Sequence, residues 1–97
     1  MIIVAGKIYV RPGERDRFLE RSADAVVQAR SFPGCLDFVV ASDLIEPDRV
    51  NVYERWESAE ALHAFRGDGP GDDLSAMIIS AEIDEHRVLA ASVKTSR

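Results

Sequence analysis

The stretch NVYERWES, residues 51–58, places an amide, a phenol, a carboxylate, a guanidinium and the single tryptophan of the chain within six residues. Two explanations are open for this density: a catalytic site, or a β-strand whose two faces look in different directions. Side chains of a strand alternate between the two faces of a sheet. The strand divides its side chains into two sets of three: Val52, Glu54 and Trp56 on one face, and Asn51, Tyr53 and Arg55 on the other. The six side chains therefore cannot all serve one site.

Hydrophobic patterning on both sides of this stretch predicts an α+β chain. β-Branched and apolar runs predict the strands, and apolar residues at helical spacing predict the helices. The predicted strands are residues 2–10, 35–42, 50–56 and about 81–93, and the predicted helices are residues 13–30, 59–66 and one or two turns after Asp72 or Asp73. The order β-α-β-β-α-β, with an extra short helix before the last strand, is the ferredoxin-like arrangement of an antiparallel four-stranded sheet with helices on one face. We expect a single domain over residues 1–97.

Two local features refine this expectation. Ser58 is a suitable N-cap for the helix at 59–66. Gly6 lies inside the first strand, where glycine indicates either a bulge or the close approach of another group.

Apolar residues occupy both phases of the first two predicted strands. In residues 2–10, Ile2, Val4 and Ile8 alternate with Ile3 and Ala5, and in residues 35–42 the set Leu36, Phe38 and Val40 alternates with Cys35, Val39 and Ala41. An antiparallel sheet with one solvated face shows a cleaner alternation. Because the helices cover only one face, the pattern predicts a homodimer in which a second copy covers the other face. The alternative is a monomer with a weakly amphipathic sheet.

Composition excludes several classes of partner. The formal net charge is −5 over 97 residues, which argues against nucleic acid and against an anionic membrane surface. The sequence has no apolar run of 18 residues and no secretory signal pattern. Cys35 is the only cysteine, so an intrachain disulfide is ruled out. These observations together lead us to expect a cytoplasmic protein.

Several segments occur in an order that resembles a known family. The segments are VRPGERDRFLE at 10–20, PGCLDFVV at 33–40 and DRVNVYERWESAEALHAF at 48–65. Together with the first strand they resemble the antibiotic biosynthesis monooxygenase (ABM) family. The resemblance implies a dimeric α+β barrel with a pocket between the sheet and the helices of each subunit. Some members oxidise phenols or quinols with molecular oxygen and no metal or flavin, whereas others degrade haem, isomerise small carbonyl compounds or have no known reaction.

Transfer of the family's site residues to this chain is incomplete. Trp56 matches the tryptophan that lines the pocket in the phenol-oxidising branch, but Val52 and Leu62 stand where that branch has asparagine and tyrosine. Gly6 and Phe65 replace the asparagine and tryptophan of the haem-degrading branch. The histidines of the haem-degrading and isomerase-like branches have no counterpart here. The resemblance thus supports the fold more strongly than any one activity.

Candidate site residues follow from the strand parity and the resemblance. Trp56 is expected either to orient a substrate oxygen through its indole N–H or to serve as core packing, and Glu54 on the same face is a candidate general base. A buried carboxylate needs a partner, which Arg66 or Arg15 could supply; Arg15 otherwise extends its charged end to solvent. The expected substrate-binding residues are Leu62, Phe65, Met77, Arg66 and Arg15. The set Asn51, Tyr53 and Arg55 is expected to face the second subunit, in a polar network with Lys7 and Asp37.

Other chemically active residues are assigned structural roles. Helical spacing turns His63 away from the apolar face, His86 is expected at a strand edge or interface, and Cys35 is expected to be a buried thiol. Neither histidine has metal-ligand spacing, so no metal and no cofactor are predicted. The loop GDGPGD at 67–72 is either a lid over the pocket or a simple connection. The hypothesis is a cofactor-independent monooxygenase of a small aromatic phenol or quinol; the alternatives are an isomerase in the same pocket or a non-enzymatic small-molecule-binding module.

Overall fold

The computed structural model describes residues 1–67 and 72–89, apart from the side chains of residues 72 and 73. Four strands and three helices alternate in the order β-α-β-β-α-α-β. The elements are β1 Ile2–Val10, α1 Arg15–Arg30, β2 Cys35–Ser42, β3 Arg49–Trp56, α2 Ala59–Arg66, α3 Asp72–Met77 and β4 Ile78–Arg87. The strands form one antiparallel sheet in the order β2-β3-β1-β4. This confirms the predicted ferredoxin-like α+β fold.

Helix boundaries agree with the sequence within two residues. Ser58 caps α2, because its hydroxyl oxygen accepts the backbone N–H of Ala61 at 3.2 Å. Helix α1 begins two residues later than predicted, after Gly13, which adopts a positive φ of 79°.

The last two elements differ from the prediction. Helix α3 ends at Met77, and β4 begins at Ile78, before the strand start predicted at about residue 81. Ile78 pairs with Val10 of β1 and therefore belongs to the sheet. The predicted strand end at 90–93 and the loop at 68–71, including its lid role, lie outside the described residues.

Strand parity places the core on the helix side of the sheet. The buried side chains form two clusters, one around Trp56 and Leu62 and the other around Val50 and Phe18. The helix-free face carries half-buried Ile3, Ala5, Val39 and Tyr53 beside charged residues. Its polarity is thus mixed, whereas the helix-side face of β1, β2 and β3 is mainly apolar.

Strand β2 departs from simple alternation at its start. The register of β2 against β3 shifts between Cys35 and Asp37, so Cys35 lies opposite Trp56 on the helix side. Leu36 does not share a face with Phe38 as expected, and 46% of its surface is exposed. A bulge of one residue has this effect because it changes the phase of every residue before it.

Gly6 is required by the close approach of β4. A Cβ atom added at Gly6 would lie 2.7 Å from the Cα of Ile83 and closer still to the Glu82 carbonyl oxygen. Of the two explanations open from the sequence, the close approach of another backbone is therefore the one observed.

We expect Gly34→Ala to destabilise the fold more than Gly13→Ala. Both glycines have a positive φ, which costs a residue with a Cβ about 1–2 kcal/mol. Only at Gly34 would the new Cβ also collide with the Ala61 Cβ of α2, at 2.5 Å, whereas nothing lies within 4 Å at Gly13. Overpacking adds about 1–3 kcal/mol. Urea unfolding of both variants measures the difference, and equal losses would contradict the steric explanation.

Candidate functional site

A buried carboxylate and the tryptophan are joined on β3. The Trp56 indole Nε1–H donates a hydrogen bond to Glu54 Oε1 at 3.0 Å, between neighbouring side chains of one strand face. Trp56 is fully buried, and three phenylalanines surround its ring: Phe32, Phe38 and Phe65, with ring centroids 6.2, 6.5 and 5.3 Å away. The cluster fixes the indole, and the indole in turn fixes the orientation of the carboxylate.

Burial raises the pKa of Glu54 above its ordinary value of 4.5. The hydrogen bond from Trp56 and the positive charge of Arg66 act in the opposite direction, and the negative charge of Glu85 adds to the increase in pKa. The balance is upward because removing a carboxylate from water disfavours its charged form. A carboxylate with a raised pKa is a stronger base than an ordinary glutamate.

Glu54 lies on the wall of a cavity between the sheet and the helices. The cavity has a volume of about 430 Å³, within the range of roughly 300–1,000 Å³ typical of small-molecule sites. Its lining is mostly apolar and comes from the three helices and all four strands: Ile8, Phe18, Ser22, Ala25, Val26, Gln28, Phe38, Val40, Val52, Glu54, Phe65, Arg66, Leu74 and Ile83. The cavity is lined by residues of both core clusters and offers few polar groups, as expected of a site that orients an apolar ligand.

The structure brings only part of the predicted site together. Glu54, Phe65 and Arg66 line the cavity, whereas Leu62 and Met77 are buried in the core clusters and are not part of its lining. Trp56 is not part of the lining either. Its N–H donates a hydrogen bond to Glu54, so the indole affects the cavity through the orientation of that carboxylate.

Arg15 has a structural position at the other end of the sheet. Its Nη1 donates to the backbone carbonyl oxygens of Asp43, Glu46 and Arg49 at 3.2, 2.9 and 3.3 Å. Asp43 and Glu46 lie in the β2–β3 connection and Arg49 begins β3, so the guanidinium holds this turn against α1. Of the two cations considered as partners for Glu54, the observed geometry therefore leaves Arg66.

Arg66 makes an ion pair at the cavity wall. Its Nη1 lies 2.6 Å from Glu85 Oε1. Val4 opposes Glu54 on β3 and Glu85 on β4 in the same row of the sheet, so the two carboxylates flank Val4 on the helix side. Arg66, at the end of α2, thus pairs with Glu85 and acts electrostatically on Glu54.

The three residues expected on the second face lie on the helix-free side of the sheet. Asn51 accepts from Arg49 Nε at 2.7 Å and donates to Asp43 Oδ1 at 2.9 Å, and Arg55 Nη2 contacts the sulfur of Met1 at 3.3 Å. Tyr53 is half-buried beside them. Lys7 pairs with Glu82 at 3.2 Å, so the network uses Asp43 and Glu82 as its acids, whereas Asp37 accepts the backbone N–H of Phe38.

The remaining reactive residues lie outside the cavity lining. His63 and His86 are exposed, and Cys35 is half-buried with a pKa raised by burial. Among the side chains of residues 1–67 and 74–89, no group of three from His, Cys, Asp or Glu is arranged to hold a metal ion. The helices of these residues include none long and apolar enough to cross a membrane.

Sequence reasoning missed several lining residues, and it also missed Glu85, which pairs with the lining residue Arg66. Phe38, Val40 and Val52 were recognisable only as core residues, because their parity gives the face but not the position of a void. Glu85 could be recognised only once the register of β4 against β1 was known.

We expect the stability of the protein relative to a Glu54→Gln variant to fall as pH rises. Because the folded-state pKa of Glu54 is raised, its contribution is fully present below the unfolded value of about 4.5 and is lost as pH passes through the raised folded pKa. Urea unfolding of both proteins between pH 4 and 8 measures this difference. A constant difference across that range would contradict the burial argument.

The chain is similar in sequence to a known family and to a curated protein. A sequence profile of the family described as antibiotic biosynthesis monooxygenase matches residues 1–69. An uncharacterised protein of Synechocystis sp. is 33% identical over 61 residues, which make up 63% of this chain and 42% of that protein. The chain thus matches less than half the length of this curated relative.

Solved structures share the fold over nearly the whole chain. A protein from Deinococcus radiodurans, described as a candidate antibiotic biosynthesis monooxygenase, has a TM-score of 0.83 at 20% identity and covers 99% of this chain and 100% of its own. A protein from Chloroflexus aurantiacus with the same description has a TM-score of 0.74 at 30% identity and covers 95% and 96%. At 20% identity, the similarity to the Deinococcus radiodurans protein shows the fold alone.

Proposed function

Because the chain belongs to the antibiotic biosynthesis monooxygenase family, we propose that it is a cofactor-independent monooxygenase of a small aromatic phenol or quinol. The observation that carries the proposal is one carboxylate with a raised pKa on the wall of an otherwise mostly apolar cavity. A phenol must lose its proton before the electron-rich anion can pass an electron to oxygen. Glu54 is the group placed to accept that proton.

The reaction balances without an external reductant. Glu54 takes the hydroxyl proton, and the phenolate transfers one electron to O₂. The resulting radicals combine at a ring carbon to form a C–O bond. Loss of the proton from that carbon and cleavage of the O–O bond then give a quinone and one molecule of water. The apolar walls exclude bulk water, which protects the radical and peroxide intermediates.

Trp56 has a positioning role in this proposal. Its N–H holds one oxygen of Glu54, which leaves the other carboxylate oxygen to meet the substrate. The expected direct contact between the indole and a substrate oxygen is thereby replaced by an indirect one. Phe65, Phe38 and Val52 supply apolar walls.

Oxygen uptake tests the proposal. Purified protein is mixed with a panel of hydroquinones and polycyclic phenols in an oxygen electrode, with and without a chelator. The proposal expects one O₂ consumed for each quinone formed, at a rate that the chelator does not change. Binding of the same compounds without uptake would instead favour a small-molecule-binding module. Exchange of substrate protons with deuterated water in the absence of uptake would favour an isomerase, because Glu54 could serve as a base there too.

A second copy of the chain is part of the proposed assembly. Half-buried Ile3, Ala5, Val39 and Tyr53 on the helix-free face support a partner that covers apolar surface. The polar residues Asn51 and Arg55 beside them would fix how the two sheets align in such an interface. Light scattering at micromolar concentration should return twice the monomer mass. We also expect the protein to be cytoplasmic.

A further inference from the structure

Arg66 is the one cation in the cavity wall among the residues that the structure describes. It lines the same cavity as Glu54, and its guanidinium is bound to Glu85 at 2.6 Å. A neutral phenol requires one base and no cation. The guanidinium at the wall thus has no role in the proton transfer proposed for Glu54.

The Arg66–Glu85 pair is suited to exchange its partner. Both side chains are partly exposed, at 39% and 45% of their surface, and an ion pair that water reaches contributes little to stability. A ligand oxyanion inside the cavity would compete for the same guanidinium in a drier environment, where a charged hydrogen bond is stronger. Glu85 then remains in contact with solvent and loses little by the exchange.

We propose that Arg66 anchors an anionic oxygen of the ligand and that Glu85 is the internal competitor for this anchor. The ligand class follows from the two groups on the wall: an aromatic compound with one acidic group that is ionised at neutral pH and a separate neutral hydroxyl. The anion binds Arg66, and the hydroxyl is presented to Glu54. The inference rests on the cavity of the proposed function and specifies which of its substrates fit.

The charge of the empty site supports this assignment. Arg66 and Glu85 neutralise each other. An anion that displaces Glu85 therefore pairs with the guanidinium in place of a carboxylate of the same charge. Removal of Glu85 by mutation should favour the anion, and removal of Arg66 should abolish its advantage.

Titration calorimetry with two matched probes tests the inference. The probes are 6-hydroxy-2-naphthoate, which carries a carboxylate and a hydroxyl, and 2-naphthol, which lacks the carboxylate. The wild-type protein should bind the naphthoate about tenfold more tightly, as one charged hydrogen bond predicts. Arg66→Gln should lose this preference and keep its affinity for naphthol, and Glu85→Gln should bind the naphthoate several-fold more tightly than the wild type.

Glu82→Gln is the matched control. Glu82 lies on the same strand and pairs with Lys7, on the helix-free side of the sheet, so its loss changes the net charge equally and should change neither affinity. Circular dichroism melting confirms that each variant is folded. A preference for naphthoate that survives in Arg66→Gln, or that weakens in Glu85→Gln, would overturn this inference and leave the proposed function unaffected. Absence of binding by either probe to any folded variant would overturn the cavity as a binding site and the proposed function with it.

Discussion

Glutamine in place of Glu54 is expected to lower kcat for quinol oxidation by about 10²–10⁴-fold, the usual contribution of a general base. The amide keeps the shape of the side chain and can still accept the Trp56 N–H through its carbonyl oxygen, but it cannot take a proton. Steady-state oxygen uptake measures kcat and KM separately. KM should change little, because the cavity walls that hold the ring system are untouched.

Glu57→Gln serves as the control for this substitution. Glu57 is an exposed acidic residue directly after β3, and its loss should leave kcat unchanged. The Glu54→Gln variant should be at least as stable as the wild type at neutral pH, since it removes a desolvated carboxylate whose pKa is raised. Full turnover in Glu54→Gln would remove Glu54 from the chemistry and leave the cavity without a base among its described lining residues.

Truncation of the tryptophan is expected to give the largest loss of stability. Trp56→Ala removes the fully buried indole at the centre of three phenylalanine rings, and changes of this type cost about 3–5 kcal/mol of unfolding free energy. For a chain of this size each kcal/mol lowers Tm by roughly 4–8 °C. Urea and thermal unfolding followed by circular dichroism measure both quantities.

Trp56→Phe separates packing from positioning. The phenyl ring keeps aromatic contacts with Phe65 and Phe38 but has no N–H for Glu54, so kcat should fall while most of the stability is retained. The freed carboxylate should also move the acidic limb of the pH–rate profile upward, because the hydrogen bond from Trp56 lowers the pKa of Glu54. Unchanged turnover with an unchanged pH profile would reduce Trp56 to a core residue.

Much of the fold could be predicted because its signals are local. Strand parity separated the Trp56 face from the Tyr53 face, and the Ser58 cap marked the start of the helix that follows β3. The prediction failed at the start of β2, where Leu36 leaves its expected face. A bulge is set by how β2 meets β3, and no periodicity within residues 35–42 encodes it.

The candidate site could be predicted only in part because its members come from distant segments. Glu54 and Phe65 were identified from the faces of their own elements. Arg15 was a candidate partner for Glu54, with extension to solvent as the alternative, but the sequence does not show which backbone carbonyls come within its reach.

The sequence by itself determined the order of the elements, the two faces of β3 and the proximity of Glu54 to Trp56, because these depend on periods of two and 3.6 residues along the chain. Only the tertiary structure decided that the indole N–H is directed to Glu54 and that Arg66 meets Glu85 beside the cavity. The Arg66–Glu85 contact joins residues 19 positions apart and depends on the register of β4 against β1 and on where α2 ends above the sheet. The direction of the indole depends on the phenylalanine rings that pack around it from other segments. Both are outcomes of tertiary packing, in which the burial of the core brings separate segments together.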